Sequence, residues 1–240
     1  MVIIVKPKRQ YRSSIREQQA KETRRVILDA AKRVLEREGY GATTMQAIAA
    51  EAGVVTKTVY TAYSTKSGLL SALWDVVLRG DEDAAPVGAL AWYREVIDEP
   101  IPERQLRLNA RNSRIVKMRI AGVVRVIRDG ATSDPGVGKL WCNIENSFYQ
   151  NQLAIVQSLN DKQVLRSNLD VKRAADILWT LNHPDLWRLL VGERRWTPDA
   201  YEQWFGDTAC DQLLTPRRAG QRKSMHGTIQ KSGAANRRGR

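Results

Sequence analysis

Apolar residues recur along the chain with the spacing of helices, three and four apart, and no run alternates apolar with polar as a half-buried strand would. Ile27, Leu28, Ala31, Val34 and Leu35 form a stripe that predicts one helix from about Lys21 to Glu38, with Gly39 as its stop and Gly41 loosening the link. Two short helices follow within "TTMQAIAAEAGVVTKTVYTAYSTKSGLL" (43–70), then a longer one from about Lys66 to Arg79 that ends at Gly80. The acidic, Pro- and Gly-containing stretch 80–90 is expected to be a loop between a small N-terminal module and a larger C-terminal part. Pro102-Glu103 opens a long helix to about Arg128, with a break expected near Ala121-Gly122. Asp134 and Pro135 read as N-cap and first residue of a helix that carries Leu140, Trp141, Ile144, Phe148, Leu153 and Ile155 to about Leu159. Asp170 caps the next helix, which Pro184 is expected to kink, and Thr197-Pro198 begins the last. The pattern predicts an all-α chain of about nine or ten helices without internal repeats.

Composition refines this picture. At 240 residues and 42% hydrophobic content the chain can bury a sizeable core. No apolar run reaches the ~20 residues of a membrane span, and Val2–Val5 is shorter than the ~7–15-residue core of a signal peptide, so a cytoplasmic protein is expected. The formal net charge of +13 is uneven. Residues 1–20 hold five basic side chains against Glu17, and residues 215–240 hold eight with no acid, which leaves residues 21–214 at +1. The expected organisation is a basic, flexible arm (1–20), a small N-terminal module (21–72), a larger C-terminal domain (73–214) and a basic, disordered tail (215–240). Cys142 and Cys210 fit no metal or redox spacing and are expected to be buried free thiols.

The chemistry concentrates at residues 43–70. Thr43 or Thr44 is a good N-cap for Met45–Ala52, and Gly53 suits a left-handed turn. Ala49 is small enough for a close helix crossing, and Val59 can plug back into the core. Turn, small contact and plug together describe a helix-turn-helix rather than an ordinary helical hairpin. Thr43 and Thr44, at a helix N-terminus, suit phosphate. Thr56, Lys57, Thr58 and Thr61 fall on the major-groove face, where Lys57 can read guanine and threonine methyls can pack on thymine; Gln46 reaches a base or a phosphate. The N-terminal arm is placed to add affinity in the minor groove.

These residues resemble the DNA-binding module of the tetracycline-repressor (TetR) family of bacterial transcription regulators. The shared marks are the Thr-Thr entry, Ile48-Ala49, Ala52-Gly53-Val54, Thr58-Val59-Tyr60, Tyr63, Lys66 and Leu69-Leu70, over about 21–72. The C-terminal part is similar to a subgroup of that family in "RAADILWTLNHPDLWRLLV" (173–191) and "WTPDAYEQWFGDT" (196–208). One departure is Val55, where the family often has a serine capping the recognition helix, which leaves Thr56 to cap it. The resemblance implies that Tyr60 and Lys66 grip phosphates, although Tyr60 also reads as a core aromatic with a wet hydroxyl. It implies a homodimer on a palindromic double-stranded operator, acting as a repressor, with the last two helices forming a four-helix interface. Leu178, Leu186 and Trp204 carry the excess apolar bulk expected of that interface, together with Leu181, Leu189 and Leu213. A small-molecule effector is expected in a cavity among residues 90–160; Trp92, Trp141, Trp179, Trp187, Trp196 and Trp204 read equally as lining it or as filling core and dimer contacts.

Other chemistries are weaker. "GVGKL" (136–140) fails as a phosphate loop, because the required first glycine is Ser133 and Leu140 follows Lys139. His183 and His226 have no ligand cluster in sequence, His183 reading as a structural or pocket residue, and no acid–base pair is recognisable. No cofactor is expected. A regulator without effector, and a helical enzyme, are the alternatives.

Overall fold

The computed structural model describes residues 8–80 and 87–216, with side chains from residue 16 onward. Among these residues the regular structure is helical: α1 (Lys8–Ala42), α2 (Met45–Ala52), α3 (Thr56–Ala62), α4 (Lys66–Arg79), α5 (Ala91–Asp98), α6 (Pro102–Gly130), α7 (Pro135–Asp161), α8 (Val171–Leu181), α9 (Pro184–Trp187) and α10 (Pro198–Leu213). A π-helical turn, Arg188–Glu193, continues α9. No helix of the described residues is long and apolar enough to cross a membrane. The expectations for residues 1–7, for 81–86 of the 80–90 loop and for the tail beyond 216 fall outside the described residues.

Caps explain the boundaries that were legible. Asp134 accepts from the N–H groups of Gly136 and Val137, Asp170 from Arg173 and Thr197 from Ala200. Several boundaries differ from expectation. α1 begins at Lys8 rather than near Lys21, so residues 8–20 of the expected arm are helical. Gly39, non-helical at φ 79° and ψ 167°, interrupts the helical run as expected, and residues 40–42 continue beyond it as the kinked end of α1. α6 runs unbroken through Ala121-Gly122: Gly122 faces α1, where an added Cβ would lie 2.1 Å from the Glu36 carboxylate, so the residue marks a close approach and not a break. Pro184 starts a new helix instead of kinking an old one, because Leu181 already ends α8 and the His183 imidazole accepts from the Asp185 N–H as its N-cap. α5 was not anticipated; it is 8 residues long, with no side-chain cap and Val96 as its buried residue. The two cysteines are not a buried pair, Cys142 being exposed and Cys210 half-buried.

Packing divides the molecule into two apolar clusters, and the division does not fall at residue 72. One cluster joins α1–α4 to the C-terminal half of α6 and the start of α7, through Ile27, Leu35, Ile48, Leu70, Ile120, Ile127 and Ile144. The other joins α5, the N-terminal half of α6 and the end of α7 to α8–α10, through Leu106, Leu159, Leu178, Tyr201, Phe205 and Leu213. α6 and α7 are shared by both.

Polar contacts reinforce the first cluster. The Tyr40 hydroxyl donates to Asp134 at 2.5 Å, and the Lys66 amine donates to the carbonyls of Tyr40 (2.7 Å) and Thr43 (2.8 Å) while lying 4.1 Å from the centroid of the Tyr40 ring. The bond from Tyr40, the Gly136 and Val137 amides and the nearby Lys66 charge hold the Asp134 carboxyl below its usual pKa. Its stabilising contribution is therefore complete above the ordinary carboxylate range and is lost as pH falls through the lowered folded value. Asp134→Ala should cost about 1 kcal/mol or more, the usual worth of a cap, and should flatten the loss of stability in acid. Urea unfolding followed from neutral pH into the acid range checks both.

Candidate nucleic-acid interface

Local chemistry shapes the helix-turn-helix. Thr44 adopts an extended conformation and its hydroxyl accepts from the Ala47 N–H at 3.0 Å, the N-cap of α2. α2 ends at Gly53, in the left-handed region at φ 68°, and the Val54 N–H turns back to the Ala49 carbonyl at 3.0 Å. A side chain at Gly53 would have a strained backbone, so the turn between α2 and α3 depends on this residue. Ile48 and Ala49 of α2 and Val59 of α3 are buried together and set the crossing of the two helices. Arg33 of α1 pairs with Glu51 at 2.8 Å and fixes the far side of α2.

Around this scaffold the predicted contact residues separate into three groups. Thr44, Gln46, Lys57, Tyr60 and Thr61 are exposed. The Tyr60 ring, 52% exposed, is not a core aromatic. Thr61 spends its hydroxyl proton on the Lys57 carbonyl at 2.8 Å, which turns its methyl group into the remaining contact surface. Thr56, Thr58 and Lys66 are half-buried. The Lys66 amine has two of its hydrogens committed to carbonyls, and burial lowers its pKa, with Asp134 opposing. Thr43 departs from expectation: it is 1% exposed and its hydroxyl donates inward to the Gly39 carbonyl at 2.7 Å. Its side chain cannot reach a phosphate; it anchors the kinked end of α1 to α2. Thr56 does not cap α3 either. Val55 occupies the N-cap position, with no side-chain bond, and is 70% exposed.

The interface is read against a cavity. A space of about 540 Å³ lies between α4, α5, α6 and α7, within the size range of small-molecule sites. Of the tryptophans considered from sequence, Trp92 lines it; Trp187 instead packs edge-on against Tyr201 in the second cluster. Sequence reasoning missed Trp74 and Lys117, which also face it. A signal existed for Lys117: Gln105, Asn109, Ser113 and Lys117 recur every four residues on α6, so polar side chains occupy a helix face whose continuation at Ile120, Val124 and Ile127 is core.

The dimer residues also separate. Leu178 is fully buried inside its own subunit, against α10, and so is Leu213; neither is available to a partner. Leu186 and Trp204 are half-buried, while Leu189 and Trp196 are exposed, Trp196 meeting Trp204 edge-on.

Comparison with known proteins agrees with this geometry. Residues 27–73 match the family described as bacterial regulatory proteins, tetR family. Among solved structures, a TetR-family transcriptional regulator from Mesorhizobium loti is similar at 19% identity and TM-score 0.61, over 82% of this chain and 98% of that one. A transcriptional regulator from Saccharomonospora viridis in complex with choline is similar at 20% identity and TM-score 0.62, over 81% and 99%. SmeT, the repressor of the Stenotrophomonas maltophilia multidrug efflux pump SmeDEF, is similar in its triclosan complex at 19% identity and TM-score 0.63, over 81% and 92%. No curated protein sequence matches the chain.

Three substitutions separate anchors from contact surface. Thr43→Val should cost about 1 kcal/mol by removing a buried hydrogen bond, Thr44→Ala about 1 kcal/mol by removing a cap, and Tyr60→Ala less than about 0.5 kcal/mol as a surface change. Denaturant midpoints check the order. The helix-turn-helix of this chain thus matches the model of the tetR family of bacterial regulatory proteins over residues 27–73, and the chain shares its all-helical fold with the similar solved structures.

Proposed function

We propose that the protein is a cytoplasmic, ligand-responsive repressor that binds a palindromic operator as a homodimer and is released by a small-molecule effector. The observation that carries this reading is the double duty of α4. Leu69 and Leu70 are buried in the core of the helix-turn-helix, while Ser71, Trp74, Asp75 and Leu78 of the same helix line the cavity. A helix is stiff along its length, so a ligand that displaces Trp74 also displaces the base of the recognition module. Release requires no more than a difference in ligand affinity between two arrangements of α4. SmeT, a repressor solved with triclosan, and the choline-bound regulator supply precedents for a small molecule on this fold.

In this reading Lys57 reads base edges from α3, with Thr56, Thr58 and Thr61 beside it, and Gln46 supports from α2. Thr44 and Tyr60 hold phosphates. Lys66 contributes charge from behind the two carbonyls it clamps. The working domains are a helix-turn-helix unit within 21–72 and an effector and dimerisation unit within 73–214. Dimerisation uses Leu186 and Trp204 with the exposed Leu189 and Trp196, which place two recognition helices roughly 34–36 Å apart.

Selection of genomic fragments by the purified protein tests the reading. A palindromic sequence is the expected product, and recovery of unenriched DNA would overturn it. Affinity should fall with salt at about −0.9 per phosphate neutralised. Tyr60→Ala should weaken all sequences alike, while Lys57→Ala should cost about 1–3 kcal/mol and relax preference at one base pair. Leu189→Glu should yield a folded monomer by light scattering that no longer holds the operator, with residues 43–70 unchanged.

A further inference from the structure

Among the described residues the cavity wall carries two charged side chains, and they differ in kind. Asp75 is exposed at the rim. Lys117, from the middle of α6, is 4% exposed. Its amine donates to the Ser113 hydroxyl at 2.8 Å and the Tyr201 hydroxyl at 2.9 Å and meets the Asn182 side-chain oxygen, which also accepts from Ser113. Tyr201 in turn donates to the Leu181 carbonyl. The rings of Tyr201 and Phe205 lie 5.0 and 5.8 Å away. Every one of these partners is neutral. No carboxylate among the described residues pairs with Lys117, and burial holds its pKa well below the usual lysine range. Structural ammonium groups of this kind are normally paired, because hydroxyls and amides satisfy the hydrogen bonds but leave the charge uncompensated.

The rest of the wall completes a pattern. Trp74 and Phe148, with ring centroids 6.2 Å apart, make an apolar flank. Amide side chains such as Asn109, Asn143 and Gln152 supply directional donors and acceptors around it. We infer that the cavity takes an aromatic carboxylate, its anionic end replacing a neutral acceptor on Lys117 and its ring against Trp74 and Phe148. The amides would then read further polar substituents on the ring. A cation of the same shape meets a like charge at the deep end. This assignment rests on the effector reading above only for its consequence at DNA, not for binding itself.

Three probes of one shape test it: 2-naphthoate, 2-naphthamide and 2-naphthylmethylammonium, titrated calorimetrically into the full-length protein. Naphthoate should bind at least about tenfold tighter than the amide, the gain of a charge-assisted bond over a neutral one, and the amine should bind weakest. In Lys117→Met, which keeps an unbranched side chain one atom shorter and removes the charge, naphthoate should fall to the level of the amide. Equal or tighter binding of the amide or the amine overturns the inference, as does a naphthoate preference that survives in Lys117→Met, or no binding by any of the three. The wild-type comparison stands even if the variant fails to fold. Operator release, followed by fluorescence anisotropy, is a separate readout. Naphthoate that binds without release sinks the effector reading and leaves the carboxylate site; release by the amide or amine alone does the reverse.

Discussion

The molecule is organised by the continuity of α6. At 29 residues it is about 43 Å long, enough to run through both apolar clusters, and the two ends of the helix are read by different neighbours. Leu106 and Ala110 bury against α8–α10, whereas Ile120, Val123 and Ile127 bury against α1 and α4. Between them the face turns polar, with Asn109, Ser113 and Lys117 buried where no core could accept them unpartnered. The polar interval is what keeps the clusters apart and leaves a cavity between them. Filling that interval with leucine would merge the cores and close the space.

The same logic explains why the recognition module is attached as it is. Tyr40 stands at the kinked end of α1, buried, with its hydroxyl on Asp134; Asp134 caps α7; Lys66 starts α4 and clamps the carbonyls of Tyr40 and Thr43. Three helices that belong to different parts of the chain thus begin or end on one small group of polar atoms. α4 leaves this junction toward the cavity. The helix-turn-helix is therefore mounted on the C-terminal helices by directional bonds at one end and apolar packing along one helix.

Most of the fold was legible in sequence because caps and periodicity are local. Asp134, Asp170 and Thr197 act as caps where they were expected to, and Gly53 takes its left-handed turn. What escaped was set by distant contacts. Gly122 looks like a helix breaker until Glu36 is found beside it. Thr43 and Thr44 are indistinguishable as strings, yet in the two-residue link between α1 and α2 the first donates inward to the Gly39 carbonyl and the second caps α2 from the surface. Leu178 and Leu186 look alike too; the first is buried in the second cluster, whereas the second is only half-buried. Lys117 was hidden by the habit of reading lysine as surface.

The contact between Tyr40 and Asp134 spans 94 positions of sequence. The first apolar cluster has the same long reach, since Ile27 and Ile48 share it with Ile127 and Ile144. Contacts this distant form late, after the loop entropy of the intervening chain has been overcome. During synthesis the inner faces of α1 and α4 stay uncovered until α6 and the start of α7, which complete their cluster, have emerged. The helix-turn-helix is translated ahead of α6 and α7, and its mature geometry waits for those later helices.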